Sequence, residues 1–237
     1  MKRNTKSYVL KTYNLASLEK EIPDYNKVLE KISKDAGSDP SGGILERWLE
    51  LSDTISLVYV DGEYVGFSTA GQISPDKNLI YVASTMISEK YQNKGFASKL
   101  WMSSFKGALK LNINSLFKPV YFIFRTQNPK LYSILQRKTE IYPNFQNKQL
   151  KSSEKNMVIK ASNFIWPNKE LNVSEMILID SCSEYPWLLP EISQINWSGN
   201  KQIDDFFESN LKLTKKGLDD FVVLGKIKFG FMLYFAR

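Results

Sequence analysis

No histidine occurs in the 237 residues, and Cys182 is the sole cysteine. The first absence excludes Ser-His-Asp and Cys-His catalysis and every histidine-bearing zinc site. The second excludes an intramolecular disulfide and any CxxC metal or redox motif, which suits a reducing compartment. Proton transfer, if there is any, must use other groups. Long apolar runs are missing as well. Nothing reaches the roughly 20 apolar residues that span a bilayer, and Met1-Lys2-Arg3 leads into polar residues instead of a signal-peptide core. The expectation is a cytoplasmic protein with no metal and no membrane partner.

What is present is the composition of a globular chain. Hydrophobic residues make up 43% and charged residues 24%, enough for a core and too mixed for disorder. Lys and Arg total 32 against 25 Asp and Glu, a formal charge of +7 that favours an anionic partner. The lysines are spread along the sequence. Clusters such as Lys148 to Lys155 and Lys212 to Lys216 fall in expected loops, so a nucleic-acid partner is not expected and a polyanionic cofactor accounts for the charge more simply.

Periodicity orders the first two thirds of the chain. Tyr8 to Tyr13 has strand composition, with Asn14 or Ser17 as a candidate helix cap after it. Leu18, Ile22, Tyr25, Val28, Leu29 and Ile32 recur at helical spacing, and Pro23 marks where that stripe breaks in two. A turn cluster at Gly37 to Gly43 precedes a short amphipathic helix over Ile44 to Leu51. Ile55 to Val60 and Tyr64 to Ala70 read as strands joined through Asp61-Gly62-Glu63, a hairpin signal. A strand over Asn78 to Ile87, entered through Ser74-Pro75-Asp76, comes next. The period then changes to helical, with Phe96, Leu100, Trp101 and Phe105 on one stripe. Val120 to Phe124 is a strand apolar on both faces, and a helix starts near Pro129. Beyond Tyr142 the pattern weakens: Met157-Val-Ile159 reads as a short strand, Trp166-Pro167 and Pro186-Trp187 as punctuation, Gln202 to Leu213 as helix and Phe221 to Phe229 as a closing strand.

The stretch that carries chemistry is Gln92-Asn93-Lys94-Gly95-Phe96-Ala97-Ser98. It joins a strand to a helix, and the first four N–H groups of a helix lack internal partners while its dipole places about half a positive charge there. Gly95 and Ala97 permit close approach, and Lys94 and Lys99 add charge. A pyrophosphate suits such a turn.

This segment resembles the acetyl-CoA site of the GNAT superfamily of acyltransferases, whose signature is Gln or Arg, two residues, Gly, one residue, then Gly or Ala. Gln92, Gly95 and Ala97 match it, and the order of elements matches over about residues 8 to 145. The resemblance implies a mixed α/β (α+β) fold with a mostly antiparallel central sheet, splayed fourth and fifth strands and flanking helices. It implies acetyl-CoA as co-substrate, main-chain contacts from Met86 and Ile87 to pantetheine, and Asn128 as a further pantetheine ligand as well as a helix N-cap before Pro129. The family often places a general-acid tyrosine seven residues after this Asn. Here that position is Leu135, and Tyr132, one turn earlier, is the candidate acid. With no histidine, the base that receives the amine proton is a carboxylate, Glu46 or Glu63, or solvent.

The implied activity is direct acetyl transfer to a primary amine of a small molecule or peptide; a non-catalytic acyl-CoA-binding or interaction module of the same fold is the alternative. Cys182, with no histidine to activate it, reads as a packed residue. One domain over 1–237 is expected, with 146–215 an insertion or extension that could wall the acceptor site or make a homodimer contact, and 218–237 closing the sheet.

Overall fold

The computed structural model describes residues 8–40, 43–73, 79–111, 119–146, 149–183 and 195–227. Part of the Gly37 to Gly43 cluster, Ser74-Pro75-Asp76, Pro186-Trp187 and everything beyond Ile227 lie outside these. The chain divides into two compact units, 1–115 and 116–237.

In the first unit β1 (Tyr8–Asn14), β2 (Thr54–Val60), β3 (Glu63–Gln72) and β4 (Leu79–Ile87) lie side by side in that order, each antiparallel to the next. The β2–β3 turn is the tight one its sequence implies. Asp61 and Gly62 both have positive φ, 49° and 93°, the conformation a two-residue hairpin loop needs to follow the strand twist. Asn14 caps α1 (Leu15–Glu21) by accepting from the Ala16 N–H at 2.9 Å. The helical stripe does break at Pro23, giving α1 and α2 (Tyr25–Asp35), with Leu18, Leu29 and Ile32 fully buried. α3 (Ile44–Glu50) follows.

α4 (Phe96–Leu111) lies across the sheet and buries Leu100, Trp101 and Phe105, while Phe96 is half-buried. Hydroxyls also line this contact. Thr12 Oγ1 meets Ser56 Oγ at 2.7 Å and Ser103 Oγ at 2.6 Å, and Ser68 Oγ meets Ser104 Oγ at 2.9 Å. Each of these hydroxyls at the α4 contact thus has a partner. Pairing between β3 and β4 shifts where Thr69 opposes Ser84 and Ala70 opposes Val82, which leaves Ala83 as an extra residue in β4.

In the second unit β9 (Asp220–Ile227) is the axis. It pairs antiparallel with β5 (Val120–Thr126) along one edge, and with β6 (Glu140–Tyr142) and β8 (Ile177–Leu178) along the other. The expected closing strand is therefore an interior one, which suits its near-complete burial. α5 (Pro129–Gln136) starts at the expected place. Its N-cap, Asn128, accepts from the Leu131 N–H at 3.0 Å. β7 (Leu171–Asn172) pairs with β8, and α7 (Lys201–Leu211) contacts α5.

One expectation is corrected: Met157-Val-Ile159 lies inside α6 (Ser152–Ile165), and the second half of the Lys148 to Lys155 cluster is helix instead of loop. The three-residue apolar run looks like a strand in isolation. Over a longer span Val158, Ala161, Ser162 and Ile165 form a buried helical face, and Glu154 closes the first turn by accepting from the Lys151 N–H at 3.0 Å. The overall class is the one expected, mixed α/β with mostly antiparallel strand pairing and flanking helices. Among the described residues no helix is long and apolar enough to cross a membrane.

Candidate active site

The turn between β4 and α4 is built on a small apolar cluster. Val58, Val60, Val65, Ile87 and Leu100 surround the ring of Tyr91, which closes the 3-10 turn Glu89–Tyr91 and is 4% exposed. Gly66 allows this packing. A Cβ there would stand 2.5 Å from Ile87 Cδ1 and 2.9 Å from the Met86 carbonyl, closer than side chains tolerate. The Tyr91 hydroxyl leaves the cluster and donates to Glu63 Oε1 at 3.0 Å. Glu63 also accepts from Lys31 Nζ at 3.3 Å, and its pKa lies below the usual carboxylate value because of the Tyr91 hydrogen bond first and the Lys31 bond second.

From this anchored base the chain turns outward. Gln92 Nε2 donates back to the Ile87 carbonyl at 3.1 Å, so the amide that opens the motif serves the loop itself. Asn93 and Gly95 are both left-handed, with φ 59° and 80°. Gly95 needs this φ rather than room, because a Cβ there would meet nothing within 4 Å. Left-handed residues next to a helix start turn successive main-chain N–H groups toward one concavity, the geometry that holds anions. Gln92, Asn93, Lys94, Gly95, Ala97 and Ser98 are exposed. Ser98 Oγ donates to the Gly95 carbonyl at 3.2 Å, and no acidic residue occupies the first turn of α4.

Three lysines attend the turn. Lys94 Nζ donates to the Lys90 carbonyl at 2.6 Å and lies 4.7 Å from the centre of the Tyr91 ring. Lys90 stands over the same ring at 5.2 Å, and Lys99 donates to the Tyr8 hydroxyl at 2.6 Å. The result is an exposed, positively charged turn with main-chain donors.

The other expected residues fall as follows. Met86 is half-buried and Ile87 buried at the end of β4. Of the two carboxylates, Glu63 is tied to the turn through Tyr91, whereas Glu46 is exposed in the first turn of α3. In the second unit, Asn128 spends its Oδ1 on the α5 cap. Tyr132 is fully buried, with its ring against Phe206 and Phe207, and its hydroxyl donates to the Pro143 carbonyl at 2.7 Å. Burial drives its pKa up, partly offset by a hydrogen bond with the Phe145 main chain. A proton donor to a leaving thiolate has to reach it, and in this conformation the Tyr132 proton is committed to a main-chain oxygen. Cys182 is buried, its thiol pushed up to about 12 by burial and then by the Asp220 carboxylate. Among the described residues no three His, Cys, Asp or Glu side chains cluster as metal ligands would.

The sequence reading missed Tyr91 and Gly66. Their signal was there in retrospect: an aromatic directly before the motif, and a glycine set between Val65 and Phe67.

Residues 18–120, under half of the chain, match the acetyltransferase (GNAT) family. No curated protein sequence matches the chain. Solved structures similar to it include a GNAT family N-acetyltransferase from Escherichia coli in complex with CoA, at 15% identity over 59% of this chain and 72% of that one, TM-score 0.41. The catalytic domain of a Tetrahymena histone acetyltransferase with coenzyme A has 11% identity over 62% and 82%, TM-score 0.40. A GNAT family protein from Desulfovibrio desulfuricans has 6% identity over 94% and 99%, TM-score 0.42.

Proposed function

We propose that the protein is an N-acetyltransferase that binds the pyrophosphate of acetyl-CoA on the Gln92 to Ser98 turn and passes the acetyl group to a primary amine of a small molecule or peptide. The observation that carries this is the pairing of left-handed Asn93 and Gly95 directly before an acid-free helix start, ringed by Lys90, Lys94 and Lys99. Phosphate oxygens would take the main-chain N–H groups of the turn, and the lysines would raise the positive potential around them. Main chain of β4 near Met86 and Ile87 would hold the pantetheine amides, with the Ile87 peptide already oriented by Gln92.

In the transfer, the amine nitrogen attacks the thioester carbon, the developing oxyanion takes a main-chain N–H of β4, and the coenzyme thiolate leaves. Orientation supplies much of the rate. The amine must first lose a proton. Glu63 is ionised at neutral pH, but its lowered pKa makes it a weak base, and its two hydrogen bonds fit a residue that holds the turn. Proton loss to solvent is then the simplest route, with Glu46 kept as a candidate base from the sequence alone. Asn128 is proposed as a second pantetheine contact on the strength of the family resemblance alone.

The committed hydroxyl of Tyr132 favours a second reading, an acyl-CoA-binding module without turnover. Acetyl-CoA incubated with a panel of small amines and peptide amino termini, and read as free thiol, separates the two. Amine-dependent thiol release is the expected result. Coenzyme binding with no release from any amine would establish the second reading instead.

A further inference from the structure

A second concavity lies in the first unit, on the sheet face that α2 covers only in part. It is a groove of about 580 Å³ between β1, the β2–β3 hairpin and α2. That size is within the range of small-molecule sites, roughly 300–1,000 Å³. Leu57 and Val28 contribute apolar lining, and the rings of Tyr13, Tyr59 and Tyr64 contribute aromatic lining. Tyr59 and Tyr64 stand edge to face with centroids 5.1 Å apart, and Val9 and Tyr59 are 60% and 38% exposed. Apolar and aromatic surface left open in this way is what a ligand's body would cover.

The charged lining is unequal: two ammonium groups, Lys11 and Lys31, against one carboxylate, Glu63. Both lysines are more than half exposed and pair with surface acids, and Lys11 also lies 4.5 Å from the centre of the Tyr13 ring. Lys11 donates to Glu21 at 2.6 Å, and Lys31 to Glu63 at 3.3 Å. Exposed pairs of this kind are weak and readily exchanged. An incoming carboxylate could take Lys31 without leaving a buried charge unpaired, whereas an incoming amine would meet two cations.

We propose that this groove is a binding site for a small molecule with one carboxylate and an aromatic or apolar body, and that its occupancy weakens coenzyme binding. The carboxylate pairs with Lys31 and Lys11, and the body lies on Tyr13, Tyr59 and Tyr64. The coupling runs through one residue. Glu63 is shared between Lys31 on the groove side and Tyr91, at 3.0 Å, on the side of the anion turn, with Lys90 at 4.0 Å. A ligand that removes Lys31 leaves the Glu63 charge to Lys90 and Tyr91 and adds a second negative charge nearby. Both effects lower the positive potential that the turn offers to phosphate. The coupling, unlike the groove itself, rests on the coenzyme reading proposed above, and linkage makes it reciprocal.

The test uses 3-phenylpropionate, which has the ring and carboxylate but no amine to acetylate and no phosphate to compete for the turn. Titrated against the protein without coenzyme, it should bind saturably, with amide shifts confined to β1, α2 and the hairpin. Lys31→Met should weaken it about tenfold, the size of one lost charge contact. The uncharged analogue 3-phenylpropan-1-ol should bind far less well. Saturating probe should weaken CoA binding several-fold, and Glu63→Gln should reduce that effect to the part due to the probe's own charge while leaving the probe bound. Absence of saturable binding, equal binding of the alcohol, or unchanged affinity in both Lys31→Met and Lys11→Met would overturn the site. So would a solution dimer that buries this face. Probe binding with unaltered CoA affinity would overturn the coupling, and probe binding with no CoA binding at all would fault the coenzyme reading alone.

Discussion

The Tyr91 hydroxyl and the Glu63 carboxylate, 3.0 Å apart, join the β2–β3 hairpin to the residue that precedes the anion turn. The ring of Tyr91 is locked in the core and its hydroxyl is locked to the hairpin, so the direction in which the chain enters Gln92 is set at two points. Tyr91→Phe keeps the first and removes the second. It should leave the fold intact and weaken CoA binding several-fold by isothermal titration; an unchanged affinity would mean that the turn holds its shape without Glu63.

The same pair has a pH signature. The folded-state pKa of Glu63 is depressed, so its contribution to stability is present above the unfolded pKa, about 4.3 for a glutamate, and is lost as pH falls through the folded value. The melting temperature of wild type should therefore exceed that of Glu63→Gln by a constant margin from neutral pH to about 5, and the margin should close as pH falls below about 4. A margin that did not depend on pH would show that packing alone separates the two proteins.

Gly66→Ala tests how the platform is made. The new methyl would meet Ile87 Cδ1 at 2.5 Å and the Met86 carbonyl at 2.9 Å, and overpacking of this kind costs about 1–3 kcal/mol. Chemical denaturation should report that loss. CoA affinity should fall as well, because the end of β4 must move to make room.

Tyr132→Phe discriminates a packed tyrosine from a catalytic one. It leaves the Pro143 carbonyl without its donor in the core and should cost about 1 kcal/mol in denaturation, with turnover at saturating substrates nearly unchanged. A large fall in kcat with stability retained would restore Tyr132 as the acid that protonates the leaving thiolate.

The elements of the first unit were legible because their cues are local. Asp61-Gly62 encodes its turn, Asn14 its cap, Pro23 its break, and Gly95 the left-handed residue before α4. The strand-to-helix turn at Gln92 to Ser98 could be read for the same reason, since its left-handed glycine and helix start are local features. Tyr91 to Glu63 could not be read, because its partners are 28 residues apart and meet only when the hairpin closes over the turn. Tyr132 is the sharper example. Its helical register was right, yet its burial comes from Phe206 and Phe207 on α7, more than seventy residues on, in a region whose apolar pattern is too sparse to assign a partner. α6 was obscured by a β-branched pair, Val158 and Ile159, inside a lysine-rich stretch whose helical face emerges only over several turns.

Isothermal titration of CoA into wild type and Gly95→Glu asks whether the turn from Gln92 to Ser98 holds the coenzyme's phosphates. No protein atom lies within 4 Å of the position a Cβ would take at Gly95, so the substitution strains φ locally and puts a carboxylate into the anion site without a clash in the core. Saturable binding to wild type and loss of binding, by at least about a hundredfold, in the variant are expected, with a folded melting profile in both. Equal affinity in the two proteins would contradict phosphate binding at this turn.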